Sequence, residues 1–198
     1  MTEQYHLDVL RQGIDVWNQW RQEHHSIQPD FSGVDFRGAQ LSRVNLSGAR
    51  LNGADLSGAD FKESLLIRAD LSEAILSRTN LVRADLQGAN LRAAILSNAN
   101  LIDAILSNAN LIDADLSGAI LTGAEVTGTN FSGVDFTDAD LSGIDFSQAN
   151  IQGARLGKAY FSRRSHMQPW QRQQGNQSVG IDAEDLDERV HEDWANDE

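Results

Sequence analysis

From Pro29 to Arg163 the chain is 27 consecutive pentapeptides without a slipped residue. Every fifth position from Phe31 to Phe161 is Leu, Phe, Ile or Val. The residue two before this apolar centre is small or β-branched, usually Ala, and the other three are mostly Asp, Asn, Ser, Arg or Gly. An α-helix turns every 3.6 residues, so a strict period of five would wind its apolar stripe around the axis. A strand has period two, so the centre and the small residue two before it share the dry side of one short extended step. The remaining residues must turn a corner. Extended step, corner, extended step is a coil of β-helix, and a fixed short period is the signature of a solenoid.

Glycine supports the corners. Of 16 glycines, 12 sit two after a centre, among them Gly33, Gly53, Gly118 and Gly133. The same slot also holds Glu63, Arg68, Glu73, Arg78 and Arg83. Such residues avoid positive φ, so the sequence predicts that the slot does not demand it in every repeat and that two turn geometries alternate.

The pattern, read as Ala49-Arg50-Leu51-Asn52-Gly53 and Ala54-Asp55-Leu56-Ser57-Gly58, closely resembles the pentapeptide-repeat family, whose consensus is Ala-(Asp/Asn)-Leu-x-x. The resemblance covers residues 29–163. It implies an all-β solenoid: a right-handed quadrilateral β-helix of about seven coils, four pentapeptides to a coil. With 20 residues per coil the centres fall on four faces, which begin at Phe31, Phe36, Leu41 and Leu46. At about 4.8 Å per coil the rod is roughly 30 Å long. Asn90, Asn110, Asn130 and Asn150 are then expected to stack as a ladder of amides.

Three segments are expected: residues 1–28 as an N-terminal helical cap, 29–163 as the β-helix, and 164–198 as an acidic C-terminal tail. Residues 2–24 read as one amphipathic helix with Thr2 at its N-cap. Leu7, Leu10, Ile14 and Trp17 follow helical spacing, Val16 and Trp20 widen the apolar face, and Gly13 weakens the helix a little. The stretch Val16–Arg21 resembles the helical cap that precedes the repeats in many bacterial, especially cyanobacterial, members of the family. A solenoid needs its open ends covered, so this helix is expected to lie over Phe31, Phe36, Leu41 and Leu46. At the other end Met167 and Trp170 could close the last coil. In the tail Ala183, Leu186, Val190 and Trp194 recur at helical spacing.

Charge divides unevenly along the chain. The formal net charge is −13. Residues 29–92 hold 8 acidic and 8 basic groups, whereas residues 93–154 hold 8 acidic groups and no basic one. That half of the rod repels nucleic acid and attracts basic partners. There is no Cys, hence no disulfide or thiolate chemistry. The N-terminus lacks the basic start and apolar core of a signal peptide, and no apolar run is long enough to span a bilayer. A cytoplasmic location is expected.

No catalytic constellation emerges. His6, His24, His25, His166 and His191 all lie outside the rod, without Ser or Cys partners and without metal-ligand spacing. The serines follow the centres, where they are turn formers. No enzyme, metal or cofactor is expected.

Two surface features remain. Apolar residues replace the usual polar ones at Ile75 and Ile95 on one face and at Val82 and Ile102 on the next, with further replacements at Leu65, Ile105, Ile112 and Ile120. Asp113, Asp115, Asp135 and Asp138 form an acidic surface on one side of a 20-residue coil. The leading reading is a rigid scaffold or protein-interaction rod of unidentified partner, with a homodimer as one possible use of the apolar residues. The alternative, implied by the family resemblance, is a DNA mimic that binds a type II topoisomerase or another DNA-binding protein. Neither reading involves direct nucleic-acid binding or a membrane span.

Overall fold

The computed structural model describes residues 3–162 and 165–167. Two short helices, α1 (Glu3–Leu10) and α2 (Ile14–Glu23), precede the repeats. The single helix expected over residues 2–24 is therefore broken. Gly13 is the cause: its φ of 117° lies outside the helical range, in a region open to glycine. The break lets α1 fold back on α2. Val16, expected on the apolar face, is exposed. Trp17 and Trp20 are buried, and Leu7 and Ile14 pack partly against the core. Thr2, Trp170 and the segment containing Ala183 to Trp194 lie outside the described residues.

From Asp30 to Asp140 the residues before the centres, Glu125 excepted, pair in parallel with the residue 20 later: Asp30 with Arg50, Arg50 with Asp70, and so on to Asp140 with Tyr160. Four pentapeptides make one coil, so the section is four-sided, and the fold is a right-handed quadrilateral β-helix. The final pairing, Asp145 with His166, is displaced by one residue. The core is a continuous column of centres and alanines, with Phe31, Phe61, Phe131, Phe136 and Phe146 fully buried near the two ends and Leu between them. Met167 packs partly against the last of it.

The corners overturn one expectation. Every described slot two after a centre, from Gly33 to Lys158, has φ between 54° and 74° except Gln148. Arg43, Glu63, Arg68 and Ala93 adopt it as fully as the glycines. One geometry therefore recurs instead of two alternating. Positive φ at the third residue alone, with a bond such as Ala49 N–H to the Leu46 carbonyl at 3.0 Å, is the type II turn. Each L-residue there costs roughly 1–2 kcal/mol. Coil stacking overrides that local preference, because any other turn would break the 20-residue register.

The residue before each centre has its own task. Asp55 Oδ1 accepts the Ser57 N–H at 3.0 Å, Asp115 Oδ1 that of Ser117 at 2.9 Å, and Asn110 Oδ1 that of Ile112 at 3.3 Å. This N–H points out of the ladder, and the short side chain two residues back satisfies it. Asp and Asn serve equally, which explains why both fill the slot.

Candidate functional site

The second face, whose centres run from Phe36 to Leu156, carries the column Asp35, Asp55, Ile75, Ile95, Asp115, Asp135, Arg155. This column joins the two surface features that the sequence left separate. Ile75 and Ile95 are adjacent in it and are followed at once by Asp115 and Asp135. Ile95 is 40 % exposed and Ile75 partly so. Asp113 lies at the corner before Asp115, and Asp138 at the corner after Asp135, so the four predicted carboxylates border one face. Asp113 is exposed and leans over Gly133, where an added Cβ would stand 2.5 Å from its Oδ1.

Val82 and Ile102 are elsewhere. They stack on the third face beside Asn80 and Asn100, whose side chains accept their N–H groups at 3.2 Å each. Ile120 follows Asn100 in the same column. The four apolar residues named from the sequence are thus two strips on adjacent faces, separated by the corner that contains Arg78 and Asn98.

Arg155 was not singled out from the sequence, although the 20-residue register places it over Asp135. Its Nη2 donates to Asp135 Oδ2 at 2.6 Å. Burial disfavours the charged Asp135, but bonds from Arg155 and Thr137 outweigh it and hold the carboxyl below its ordinary pKa. Asp135 therefore stays ionised, with its charge paired to Arg155. Asp113, Asp115 and Asp138 make no ion pair among the described residues.

On the first face the asparagine amides donate hydrogen bonds through Nδ2: Asn90 to Asp70 Oδ1 at 2.9 Å, Asn110 to Asn90 Oδ1 at 3.2 Å and Asn150 to Asn130 Oδ1 at 3.1 Å. This column is uncharged beyond Asp70. Negative charge in the C-terminal half therefore concentrates on the other three faces.

The predicted cap residues sit at the opening of the first coil. Trp17 stacks on Trp20 and meets Phe31, with ring centres 5.0 and 5.5 Å apart. Leu7 and Leu10 line a shallow groove of about 270 Å³ with Phe36 and Leu41. The polar contacts come from residues the hydrophobic pattern could not reveal. Arg21 donates to the carbonyls of Ile27 and Ser47, and His6 Nδ1 accepts the Asp30 N–H.

The pentapeptide-repeat family model matches residues 30–66, 54–92, 64–101, 94–133 and 129–163. This chain is a pentapeptide-repeat protein. Among solved structures it is similar to Rfr23, a pentapeptide-repeat protein from the cyanobacterium Cyanothece 51142. The two are 26% identical, the match covers 76% of this chain and 97% of Rfr23, and the TM-score is 0.50. It is 32% identical to HetL, a pentapeptide-repeat protein involved in heterocyst differentiation regulation from the cyanobacterium Nostoc sp. strain PCC 7120. That match covers 70% of each chain with a TM-score of 0.33. QnrB1, a plasmid-mediated fluoroquinolone resistance protein, is 21% identical over 77% of this chain and 88% of its own, with a TM-score of 0.34. No curated protein sequence matches the chain. The family consensus is accounted for residue by residue: Ala and Leu fill the coil, and Asp or Asn closes the outward N–H. Among the described residues no helix is long and apolar enough to cross a membrane. The second face departs from the consensus at Ile75 and Ile95, where the pentapeptide-repeat pattern calls for Asp or Asn.

Proposed function

We propose that this pentapeptide-repeat protein is a non-catalytic interaction rod that works in the cytoplasm and docks a protein partner through its second face. The observation that carries this reading is the pair of exposed Ile95 and partly exposed Ile75, in register with Asp115 and bordered by Asp113 and Asp138, three carboxylates without an ion pair among the described residues. At Ile75 and Ile95 the side-chain acceptor for the outward N–H of Ser77 and Ser97 is given up, at roughly 0.5–1.5 kcal/mol each. Covering an isoleucine returns about 1.5–3 kcal/mol gross, so a partner offsets what the isolated rod loses. The division of the chain into a helical cap over residues 1–28, a β-helix over 29–163 and a tail over 164–198 belongs to the same reading.

A symmetric dimer through this face is disfavoured. Side by side in parallel, Asp115 meets its own copy. In antiparallel array about the Ile75–Ile95 midpoint, Asp115 meets Asp55. Like charges oppose one another in both arrangements, so a second copy is a poorer occupant than a basic partner.

The eight carboxylates without a basic residue over 93–154 favour a second reading, a DNA mimic. Three features weigh against it: the neutral asparagine column of the first face, the Arg155–Asp135 pair, and the mixed charge of residues 29–92. B-DNA carries its charge all round and along its whole length.

The test is a comparison of captures from host extract. The wild-type rod should retain a protein that Ile75→Asp with Ile95→Asp loses, while Val82→Ser with Ile102→Ser retains it. Equal capture by all three would remove the second face from the function. Inhibition of DNA supercoiling by the wild type at stoichiometric ratio, lost in a variant with Asp113, Asp115, Asp135 and Asp138 changed to Asn, would establish the mimic instead.

A further inference from the structure

We infer that the partner segment is an α-helix lying along the rod axis on the second face, carrying two apolar residues and then two basic residues at successive turns. This rests on the docking role of that face and specifies what it recognises.

The argument begins with spacing. Successive coils are about 4.8 Å apart, and an α-helix advances about 5.4 Å per turn. Residues one turn apart on a docked helix therefore meet successive coils. The mismatch accumulates to about 2 Å over four coils, which long basic side chains absorb at the far end. A strand fits poorly in either direction. Along the axis its same-side residues repeat at about 6.8 Å and drift out of register within two coils. Across the face it would need free ladder groups. None are offered there, since Leu76 N–H is bonded to the Ile95 carbonyl, Ile95 N–H to Ala74 and Leu96 N–H to Asp115.

The surface relief agrees. The corner beside Ile95 is Ala93, and the hydroxyls on its other side are Ser77 and Ser97, which contact each other at 3.0 Å. Small residues thus border Ile95, while the corners of the Ile75 coil carry the longer, exposed Glu73 and Arg78, which rim the apolar end of the bed. The charge then sets the order of side chains. Ile75 and Ile95 take the apolar pair. The next coil presents Asp113 and Asp115 to the first basic residue, and the coil after that presents Asp138 to the second. Asp135 is already held by Arg155. Arg155 closes the column, so a further basic turn would be repelled. The recognised pattern is apolar residues at i and i+4 with Lys or Arg at i+7 and i+11.

The experiment uses the full chain and a synthetic 18-residue helical peptide with Leu at i and i+4 and Lys at i+7 and i+11. Its isomer has Leu at i and i+7 and Lys at i+4 and i+11, so composition and net charge are the same. Fluorescence anisotropy should show saturable binding of the first peptide and at least tenfold weaker binding of the isomer. Ile95→Asp should weaken the first peptide at least tenfold. Asp113→Asn with Asp115→Asn and Asp138→Asn should do the same and flatten its salt dependence. Asn occupies the equivalent slots natively at Asn98, Asn108 and Asn110, so circular dichroism of that variant should match the wild type. Val82→Ser with Ile102→Ser should bind as the wild type does. Absence of binding, or equal binding of the two isomers, overturns the inference. Failure of the peptide with face-dependent capture of a partner intact removes the helix and leaves the docking face. Capture that survives Ile75→Asp with Ile95→Asp removes the docking face and the inference with it.

Discussion

Asn18 stands in for a missing coil against Asn45. Its Oδ1 accepts the Asn45 N–H at 2.8 Å, and its Nδ2 donates to the Arg43 carbonyl at 2.9 Å. Deeper in the rod the equivalent N–H, that of Leu65, is bonded to the Val44 carbonyl of the coil before. Trp17 Nε1 completes the mimicry with a 2.8 Å bond to the Asn45 carbonyl. A single side-chain amide on α2 thus ends the ladder as a strand would continue it. Asn18→Ala should lower stability by about 1–2 kcal/mol, the loss of two partly shielded hydrogen bonds. Urea unfolding should show it as a shifted midpoint at unchanged slope, and Asn18→Asp, which keeps the acceptor, should fall between.

His6 makes the cap sensitive to acid. The ring is 2 % exposed, lies edge-on to Trp20 and Phe31, and accepts the Asp30 N–H through Nδ1 at 3.3 Å. Burial lowers its pKa below the ordinary 6.5; Arg21 adds to that and Asp30 opposes it. The unfolded chain then takes up a proton that the native ring refuses, so stability must fall as pH drops below about 6.5. His6→Asn keeps an acceptor in place of Nδ1 and removes the titration. Its midpoint should be lower at pH 7.5 through lost packing, and flatter between pH 7 and 5 than that of the wild type.

The corner slot gives a sign that ordinary propensity would not. Ala93 has φ 54°, so Ala93→Gly should raise stability by up to about 1 kcal/mol, although Gly for Ala usually destabilises. Gly53 has φ 65° and open space around its missing Cβ, so Gly53→Ala should lower stability by about the same amount. Gly133→Ala should cost more than Gly53→Ala, because Asp113 must also swing aside. Thermal melts of the three variants check the order.

Arg155 governs the charge of the second face more than its stability. The pair with Asp135 has an Arg side chain 64 % exposed, so Arg155→Ala should change stability by less than about 1 kcal/mol. The Asp135 pKa should rise towards the ordinary carboxylate value, and carboxyl chemical shifts followed by NMR titration report it. The depressed pKa contributes stability above the unfolded value near 3.8 that is lost as pH falls through the folded one. The variant should therefore be slightly less acid-sensitive than the wild type below pH 4.

Much of this molecule is written in one dimension, because a fixed period leaves a single way to put every centre inside. Leu, Ala and Asp or Asn, repeated from Pro29 to Arg163, determined the coil, the core and the stacking of residues 20 apart. That register is sufficient to place Ile75 beside Ile95, Asp115 beside Asp135 and Arg155 over Asp135. Three things needed the tertiary structure. The φ of Arg68 or Ala93 is decided by the coils above and below, whose hydrogen bonds outweigh a local preference of one or two kcal/mol. The break at Gly13 arises because α1 and α2 gain more by packing over the first coil than one straight helix could. The roles of Asn18, Arg21 and His6 were invisible to a hydrophobic pattern, since they act by pairing backbone groups exposed at the end of the ladder, and such groups have no position in a periodic sequence.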